Sequence, residues 1–168
     1  MEFKFEKKFK INNEYVDVFE LYETRIKDVK AYITNQNNFS YICCCKNIFK
    51  DKMENNYNKI NTLEKKKGVY CFYEENNDNI IFWYIGECHV VNNKWDITYR
   101  LKQHFQESQS SGLLKRVMDK HNLSREHAIE KLNNVKIGYF DLSAKDEASI
   151  LLAEYILITN CDPIYNKE

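Results

Sequence analysis

Two apolar runs separated by a short polar cluster limit most strongly what this chain can fold into. Residues 69–73 and 80–85 are rich in β-branched and aromatic side chains, and residues 74–79 between them are mostly polar. This pattern is typical of two antiparallel strands joined by a loose turn. Each run brings a tyrosine near a glycine, and we expect Gly86 to end the second strand because glycine lets the backbone bend away.

A helix is predicted to follow this hairpin over residues 97–106, with Asp96 as its N-cap. Residues three and four apart on a helix share a face, so this segment presents two neighbouring stripes. The apolar stripe consists of Ile97, Leu101 and Phe105, and the polar stripe consists of Asp96, Arg100 and His104. We therefore expect two phenols (Tyr70 and Tyr84), a guanidinium and an imidazole near one edge of a small sheet.

The remaining pattern completes an α/β (α+β) prediction. Residues 1–21 alternate like a hairpin around residues 12–13, residues 20–33 have helical periodicity, and residues 39–50 are ambiguous between strand and helix. Later segments predict helices over residues 113–121, 125–132 and 144–159, the last capped by Ser143, and a third strand over residues 135–142. We expect a small three-stranded antiparallel sheet flanked by helices in residues 67–168, preceded by an N-terminal extension of residues 1–66.

Composition bounds the class of protein without identifying its function. The 168 residues are 43% hydrophobic and 30% charged with a single proline, which is typical of one folded domain. No apolar run has the length of a membrane span, and the charged N-terminus is unlike a signal peptide. We therefore expect a cytoplasmic protein with no membrane partner, whose six cysteines are reduced.

The charge distribution does not by itself indicate a nucleic-acid partner. The formal net charge is zero, with +4 in residues 1–67 and −4 in residues 68–168. Attraction to phosphate would have to come from a local patch or through metal ions. The clearest patch contains Lys94, Arg100, Lys102, Lys115, Arg116, Lys120 and Arg125. A solvated helix face explains the same residues.

Glu154 lies in an almost entirely apolar helical segment. A helix that is hydrophobic all round is largely buried, and a bare buried carboxylate costs several kcal/mol or more. The carboxylate must therefore lie on a narrow exposed seam, form an ion pair or bind a cation. Glu147, two turns earlier on nearly the same face, favours the seam, so the pattern leaves these alternatives open.

Five elements, taken in order, resemble the GIY-YIG endonucleases over about residues 67–167. They are Gly68-Val69-Tyr70, Tyr84-Ile85-Gly86, Arg100 with His104, Glu154, and Pro163-Ile164-Tyr165-Asn166. Each residue alone has an ordinary explanation, since a tyrosine usually packs in a strand and an arginine or histidine usually lies on a helix surface. Their joint appearance in the order of the family carries the resemblance.

The resemblance implies a metal-dependent DNA endonuclease. Tyr70 would be the general base or orient the attacking water, with its pKa lowered by a cation and an arginine nearby, and Tyr84 would support it or contact the phosphate. Arg100 would bind the scissile phosphate, His104 would position the water or assist proton transfer, and Glu154 would hold Mg²⁺ or Mn²⁺. The substrate-binding candidates are Lys94, Lys102, Lys115, Arg116 and Asn166.

Two features leave alternatives open. The residue after Tyr-Ile-Gly is usually basic in the family, whereas here it is Glu87, which favours a catalytically silent nucleic-acid-binding or protein-interaction module on the same scaffold. A small zinc protein using Cys88, His89 and His104 is a third alternative.

Among the groups in the family, small type II restriction enzymes fit the compact chain best. A palindromic target would favour a homodimer, because the symmetry of the target mirrors that of the protein.

Overall fold

A computed structural model of the chain describes residues 8–11, 14–53, 57–76, 79–90 and 96–166. The strands are β1 (Lys8–Ile11), β2 (Glu14–Asp17), β3 (Phe39–Cys44), β4 (Gly68–Asn76), β5 (Asn79–Cys88) and β6 (Lys136–Asp141). The helices are α1 (Val18–Thr34), α2 (Cys45–Met53), α3 (Asn58–Asn61), α4 (Ile97–Gln103), α5 (Leu113–His121), α6 (Arg125–Leu132) and α7 (Glu147–Cys161). The mixed α/β class is confirmed, and so is the pairing of β1 with β2.

The main sheet has four antiparallel strands in the order β3-β6-β4-β5, so the expectation of three strands was wrong. The fourth strand comes from the apolar stretch that was ambiguous between strand and helix. That stretch contains both, because β3 ends at Cys44 and α2 begins at Cys45. The predicted boundary after residue 66 stays a prediction, although β3 joins the sheet from the N-terminal side of it.

Alternate residues of β4 supply the two faces of the sheet, as the period of two in a strand requires. Val69, Cys71 and Tyr73 pack in an apolar cluster with α1 and α7. Tyr70 and Phe72 point to the opposite face and pack with residues of α2 to α6. The sheet is therefore covered on both sides, and the two tyrosines of the hairpin lie on the side of α4 and α5.

Two helix starts show how local hydrogen bonds set the element boundaries. Asp96 is the N-cap of α4, as predicted, and its carboxylate accepts from the Tyr99 N–H at 2.9 Å. The predicted cap of the last helix was wrong, because Asp146 caps α7 and accepts from the Ser149 N–H at 2.7 Å. Ser143 instead accepts from the Lys67 N–H at 3.0 Å, which ties the start of β4 to the loop after β6.

Gly86 does not end β5, which continues to Cys88. It pairs with Tyr70 across the hairpin, and the ring of Tyr70 crosses directly over it. A Cβ atom at position 86 would lie 2.6 Å from the Tyr70 Oη and 2.8 Å from the Tyr84 ring. Glycine is required here by the close approach of two tyrosines.

The free edge of β5 is covered by the C-terminal segment. The Ile164 and Tyr165 N–H groups donate to the carbonyls of Phe82 and Trp83 at 3.1 and 2.9 Å. The Asn166 side chain accepts from the Ile85 N–H at 2.8 Å and donates to the Ile85 carbonyl at 2.7 Å. Unpaired groups of an edge strand are thereby satisfied, which protects the edge from pairing with another chain.

None of the helices in the described residues combines the length and the apolar character that crossing a lipid bilayer requires.

Candidate active site

All five predicted catalytic residues line one small cavity of about 80 Å³ at the β5 edge of the sheet. They come from separate parts of the chain, namely β4, β5, α4 and its C-cap, and α7. Among the described residues, the cavity is lined by Tyr70, Tyr84, Gly86, Glu87, Arg100, Gln103, His104, Ser111, Gly112 and Glu154. Although α7 packs on the opposite face of the sheet, Glu154 reaches round the edge into this cavity.

The bottom of the cavity is a chain of hydrogen bonds through His104. The Leu113 N–H donates to the His104 Nδ1 at 3.1 Å, and the His104 Nε2 lies 2.9 Å from the Tyr70 Oη. Because Nδ1 accepts, the neutral imidazole carries its proton on Nε2 and donates to the tyrosine oxygen. The hydrogen of Tyr70 is then left for a group in the cavity.

His104 is fixed in the neutral state. The pKa of His104 is lowered from 6.5 to about 3. Burial is the largest cause, and the positive charges of Arg100 and Arg116 act in the same direction. The ring also caps the start of α5, whose positive end disfavours imidazolium. Both ring nitrogens are already used, so His104 orients Tyr70 and has no nitrogen left to position a water molecule.

The lowered pKa expected for Tyr70 beside a cation stays a prediction, and the chain's own groups taken together act in the opposite direction. Burial raises the pKa of Tyr70 well above 10, and the charge of Tyr84 adds to this effect. Arg100 lowers the pKa but does not compensate for the desolvation. Tyr70 is therefore a neutral phenol in these surroundings, with a hydroxyl that donates.

Glu154 is half-buried at the opening of the cavity. Its carboxylate accepts a hydrogen bond from the Glu87 N–H at the free edge of β5. Burial raises the pKa of Glu154 to about 7, and the neighbouring Glu87 carboxylate adds to this, while Arg100 and His89 act in the opposite direction. Positive charge arriving at this point would favour the ionised carboxylate.

Glu87, which sequence reasoning treated only as a departure from the family, belongs to the cavity. One of its carboxylate oxygens lies 2.7 Å from the His89 Nδ1, and the other lies 4.0 Å from an Arg100 nitrogen. The His89 Nε2 lies 3.2 Å from a carboxylate oxygen of Glu147. Alternating acidic and basic groups therefore line the route from the surface to Arg100.

The four substrate-binding candidates within the described residues make contacts within the chain and do not line the cavity. Lys102 lies 3.2 Å from the Asn61 side chain and over the Tyr57 ring, and Lys115 pairs with Asp119. Arg116 donates to the carbonyls of Ser111 and Tyr165, and Asn166 holds Ile85 as described above. Lys94 lies outside the described residues. Their roles in substrate binding stay predictions.

Three lining residues were missed by sequence reasoning. Gln103 lies one turn after Arg100 on α4, so helical spacing could have found it. Ser111 and Gly112 reach the cavity because the loop after α4 folds back, with the Leu114 N–H donating to the His104 carbonyl at 2.9 Å. Nothing in the local sequence signals that contact.

The donors around Glu154 fit a hard divalent cation better than zinc. Carboxylate oxygens are the ligands that Mg²⁺ and Mn²⁺ prefer, and Mg²⁺ commonly uses one or two of them with water and phosphate. Within residues 8–11, 14–53, 57–76, 79–90 and 96–166, no group of three or more His, Cys, Asp or Glu side chains is arranged to hold a metal. The three residues of the zinc alternative therefore do not form such a group.

Four of the five motif elements supply residues to the cavity, and the fifth, residues 163–166, contacts β5 beside it through Asn166. Glu154 and Arg100, 54 positions apart in the sequence, line the same cavity. Membership of the GIY-YIG endonucleases stays a prediction. Comparisons of the chain with models of protein families, with curated proteins and with solved structures found no match.

Proposed function

We propose that this protein is a metal-dependent endonuclease that hydrolyses phosphodiester bonds in DNA. The observation that carries the proposal is the meeting of Tyr70, Tyr84, Arg100, His104 and Glu154 in one polar cavity. A phosphodiester hydrolase needs donors for the phosphoryl oxygens, a way to orient the attacking water and compensation for developing negative charge. These side chains are of the types that supply each requirement.

Arg100 is the phosphate-binding group of this proposal. Its guanidinium is partly exposed at the cavity and presents a planar set of donors suited to phosphate oxygens. The nearby Glu87 carboxylate holds it loosely, at 4.0 Å, so an incoming phosphate can replace that partner.

Tyr70 and Tyr84 provide neutral hydroxyl donors deeper in the cavity. The His104 Nε2–H fixes the Tyr70 oxygen, which leaves the phenolic hydrogen for a phosphoryl oxygen or for the attacking water. The same N–H would stabilise the oxygen if Tyr70 gave up its proton as the general base. The two rings stack with centroids 6.4 Å apart, so both hydroxyls belong to one fixed arrangement.

Glu154 would hold a Mg²⁺ or Mn²⁺ ion, with Glu87 contributing negative charge beside it. When bound, the ion would supply positive charge against the charge that develops on the phosphoryl group. In this proposal Glu154 must be ionised to bind the cation, and the Glu87 N–H helps to orient its carboxylate.

Cleavage of supercoiled and linear DNA with Mg²⁺ or Mn²⁺ tests the proposal. We expect nicking or linearisation by the wild type and its loss in Arg100→Ala and Glu154→Ala. Arg25→Ala and Glu75→Ala are matched controls, because these residues pair with Asp146 and Lys136 away from the cavity. Folding of each variant is checked by circular dichroism. No cleavage of DNA from varied sources with either metal would contradict the proposal.

A catalytically silent nucleic-acid-binding module is the second candidate, and Glu87 is the observation that favours it. Its carboxylate lies beside Arg100, where a phosphate would otherwise bind. Salt-sensitive DNA binding without nicking would indicate this function.

Restriction activity, a homodimer and a cytoplasmic location extend the first proposal by analogy with the family. Sedimentation of the protein with palindromic DNA tests the dimer.

A further inference from the structure

Arg116 is held by backbone carbonyls from two separate segments. It lies one turn into α5, where its Nε donates to the Ser111 carbonyl at 3.1 Å and its Nη1 donates to the Tyr165 carbonyl at 2.7 Å. A guanidinium fixed at two of its nitrogens keeps one position and one orientation. Arg116 is not among the residues that line the cavity.

The same guanidinium lies near the ring of Tyr84, with its central carbon 5.8 Å from the ring centroid. Tyr84 is half-buried, and its ring also packs against His104 with centroids 4.6 Å apart. A cation near an aromatic face is attracted by the negative face of the ring. Arg116 and His104 therefore restrain a tyrosine that lines the cavity.

The charge of Arg116 also acts on the hydroxyl of Tyr84. Burial raises the pKa of Tyr84, and Arg116 is the strongest influence in the opposite direction, ahead of Arg100. A phenol with nearby positive charge donates a stronger hydrogen bond to an anionic oxygen.

We propose that Arg116 is a positioning residue that acts through Tyr84, holding its ring and strengthening its hydroxyl as a donor to the scissile phosphate. The inference rests on the proposed nuclease function for the phosphate, whereas the coupling of Arg116 to Tyr84 is a property of the folded chain. In this inference Arg116 acts through Tyr84, whereas the resemblance implied that Arg116 binds the substrate directly. A purely structural role is the alternative, in which Arg116 only fastens the C-terminal segment through Tyr165.

A double-mutant cycle separates these two roles. We expect Arg116→Met to lower kcat by about tenfold or more, as loss of a transition-state donor does, with KM changed by less than about threefold. In a Tyr84→Phe background the same substitution should change kcat by less than about twofold. Arg116→Lys should retain more activity than Arg116→Met, because it keeps the charge. An equal loss in both backgrounds would overturn the inference.

His121→Ala is the matched control for the C-terminal segment. The His121 Nε2 lies 2.9 Å from the Tyr165 hydroxyl, so this variant disturbs the same segment from the same helix without removing the neighbour of Tyr84. We expect its kcat to stay close to that of the wild type. A loss as large as that of Arg116→Met would indicate that fastening the segment is the whole effect.

NMR of protein with ¹³Cζ-labelled tyrosine gives a readout that is independent of cleavage. The Tyr84 signal is identified by its absence in Tyr84→Phe. We expect it to move in Arg116→Met and to stay in place in His121→Ala. An unmoved signal in Arg116→Met would overturn the inference, whether or not the wild type cleaves DNA. A moved signal in a protein without cleavage would support the coupling while the nuclease proposal fails.

Discussion

The cavity has a floor of neutral groups, Tyr70 and His104, and a rim of charged groups, Glu87, Arg100 and Glu154. The floor residues are buried and joined by directed hydrogen bonds of 2.9 and 3.1 Å. In the rim, the Arg100 side chain is 44% exposed, and the Glu87 carboxylate faces Arg100 at 4.0 Å and His89 at 2.7 Å. The floor therefore has fixed geometry, whereas the rim keeps charges that a ligand can rearrange.

This difference follows from what burial permits. A buried polar group is tolerated when each donor and acceptor has a partner, and His104 meets this condition with both ring nitrogens. A charged group needs solvent or counter-charge, which the opening of the cavity supplies. Substitutions in the floor should thus alter geometry, and substitutions in the rim should alter charge balance and its dependence on pH.

The largest expected effect on cleavage comes from breaking the packing of the floor with Gly86→Ala. The new methyl group would meet the Tyr70 Oη at 2.6 Å and must displace both tyrosine rings. We expect a loss of about 1–3 kcal/mol in the free energy of unfolding, as for overpacking, and cleavage reduced by about 100-fold or more. Denaturant unfolding and plasmid cleavage measure the two effects.

A second substitution tests the cause assigned to that loss. Tyr70→Ala removes the ring that crosses position 86, so Gly86→Ala should cost less stability in this background than in the wild type. An equal cost in the two backgrounds would show that the backbone of β5, and not the tyrosine, requires the glycine.

The next effect concerns the pH dependence contributed by His104. Its folded pKa of about 3 lies below the ordinary 6.5, so the stability it contributes is complete above pH 6.5 and is lost as the pH falls toward 3. Over this pH range the contribution of His104 to the free energy of unfolding changes by on the order of 3–5 kcal/mol. His104→Gln should be less stable than the wild type at pH 7. The difference between their free energies of unfolding should narrow as the pH falls. A gap that is constant from pH 7 to pH 4 would contradict this account.

Glu154 should give the opposite dependence on pH. Its folded pKa of about 7 lies above the ordinary 4.5, so the folded state loses stability as the pH rises from 4.5 through 7. Without divalent metal, we expect the free energy of unfolding of Glu154→Gln to exceed that of the wild type by on the order of 1–2 kcal/mol at pH 8, allowing for solvent screening. At pH 4 the two proteins should be almost equally stable. Added Mg²⁺ should reduce the gain at pH 8 by stabilising only the wild type.

The smallest expected effect is in the outer part of the rim. His89→Asn removes the imidazole from a pair whose side chains are only 24% and 10% exposed, but the shorter amide can still donate one hydrogen bond to Glu87, so the free energy of unfolding should fall by less than about 1 kcal/mol. Thermal unfolding at low and high salt measures it, and the loss should change little with added salt because partly buried charges are screened weakly. A loss comparable to that of Gly86→Ala would place Glu87 in the floor rather than the rim.

Much of the hairpin and of the helices could be predicted because their signals are local. The β4–β5 hairpin follows from two apolar runs and a polar turn, and Asp96 caps α4 by a contact three residues away. The fourth strand was not predicted, since β3 is defined by pairing with β6 about 95 positions later. The role of Gly86 was misjudged for the same reason, because its neighbour Tyr70 lies on another strand.

The sequence by itself determined the order and type of the candidate groups and the apolar periods that form β4, β5, α4 and α7. Only the tertiary structure decided how those groups behave. His104 is a neutral donor because it is buried, with two arginines and the start of α5 beside it. Tyr70 is a weak acid because it is buried, and Glu87 lies beside Glu154 because the Glu154 carboxylate accepts from its backbone N–H. Local periodicity fixes which face a side chain leaves from, whereas its protonation and its partners depend on desolvation and charge brought together from distant positions.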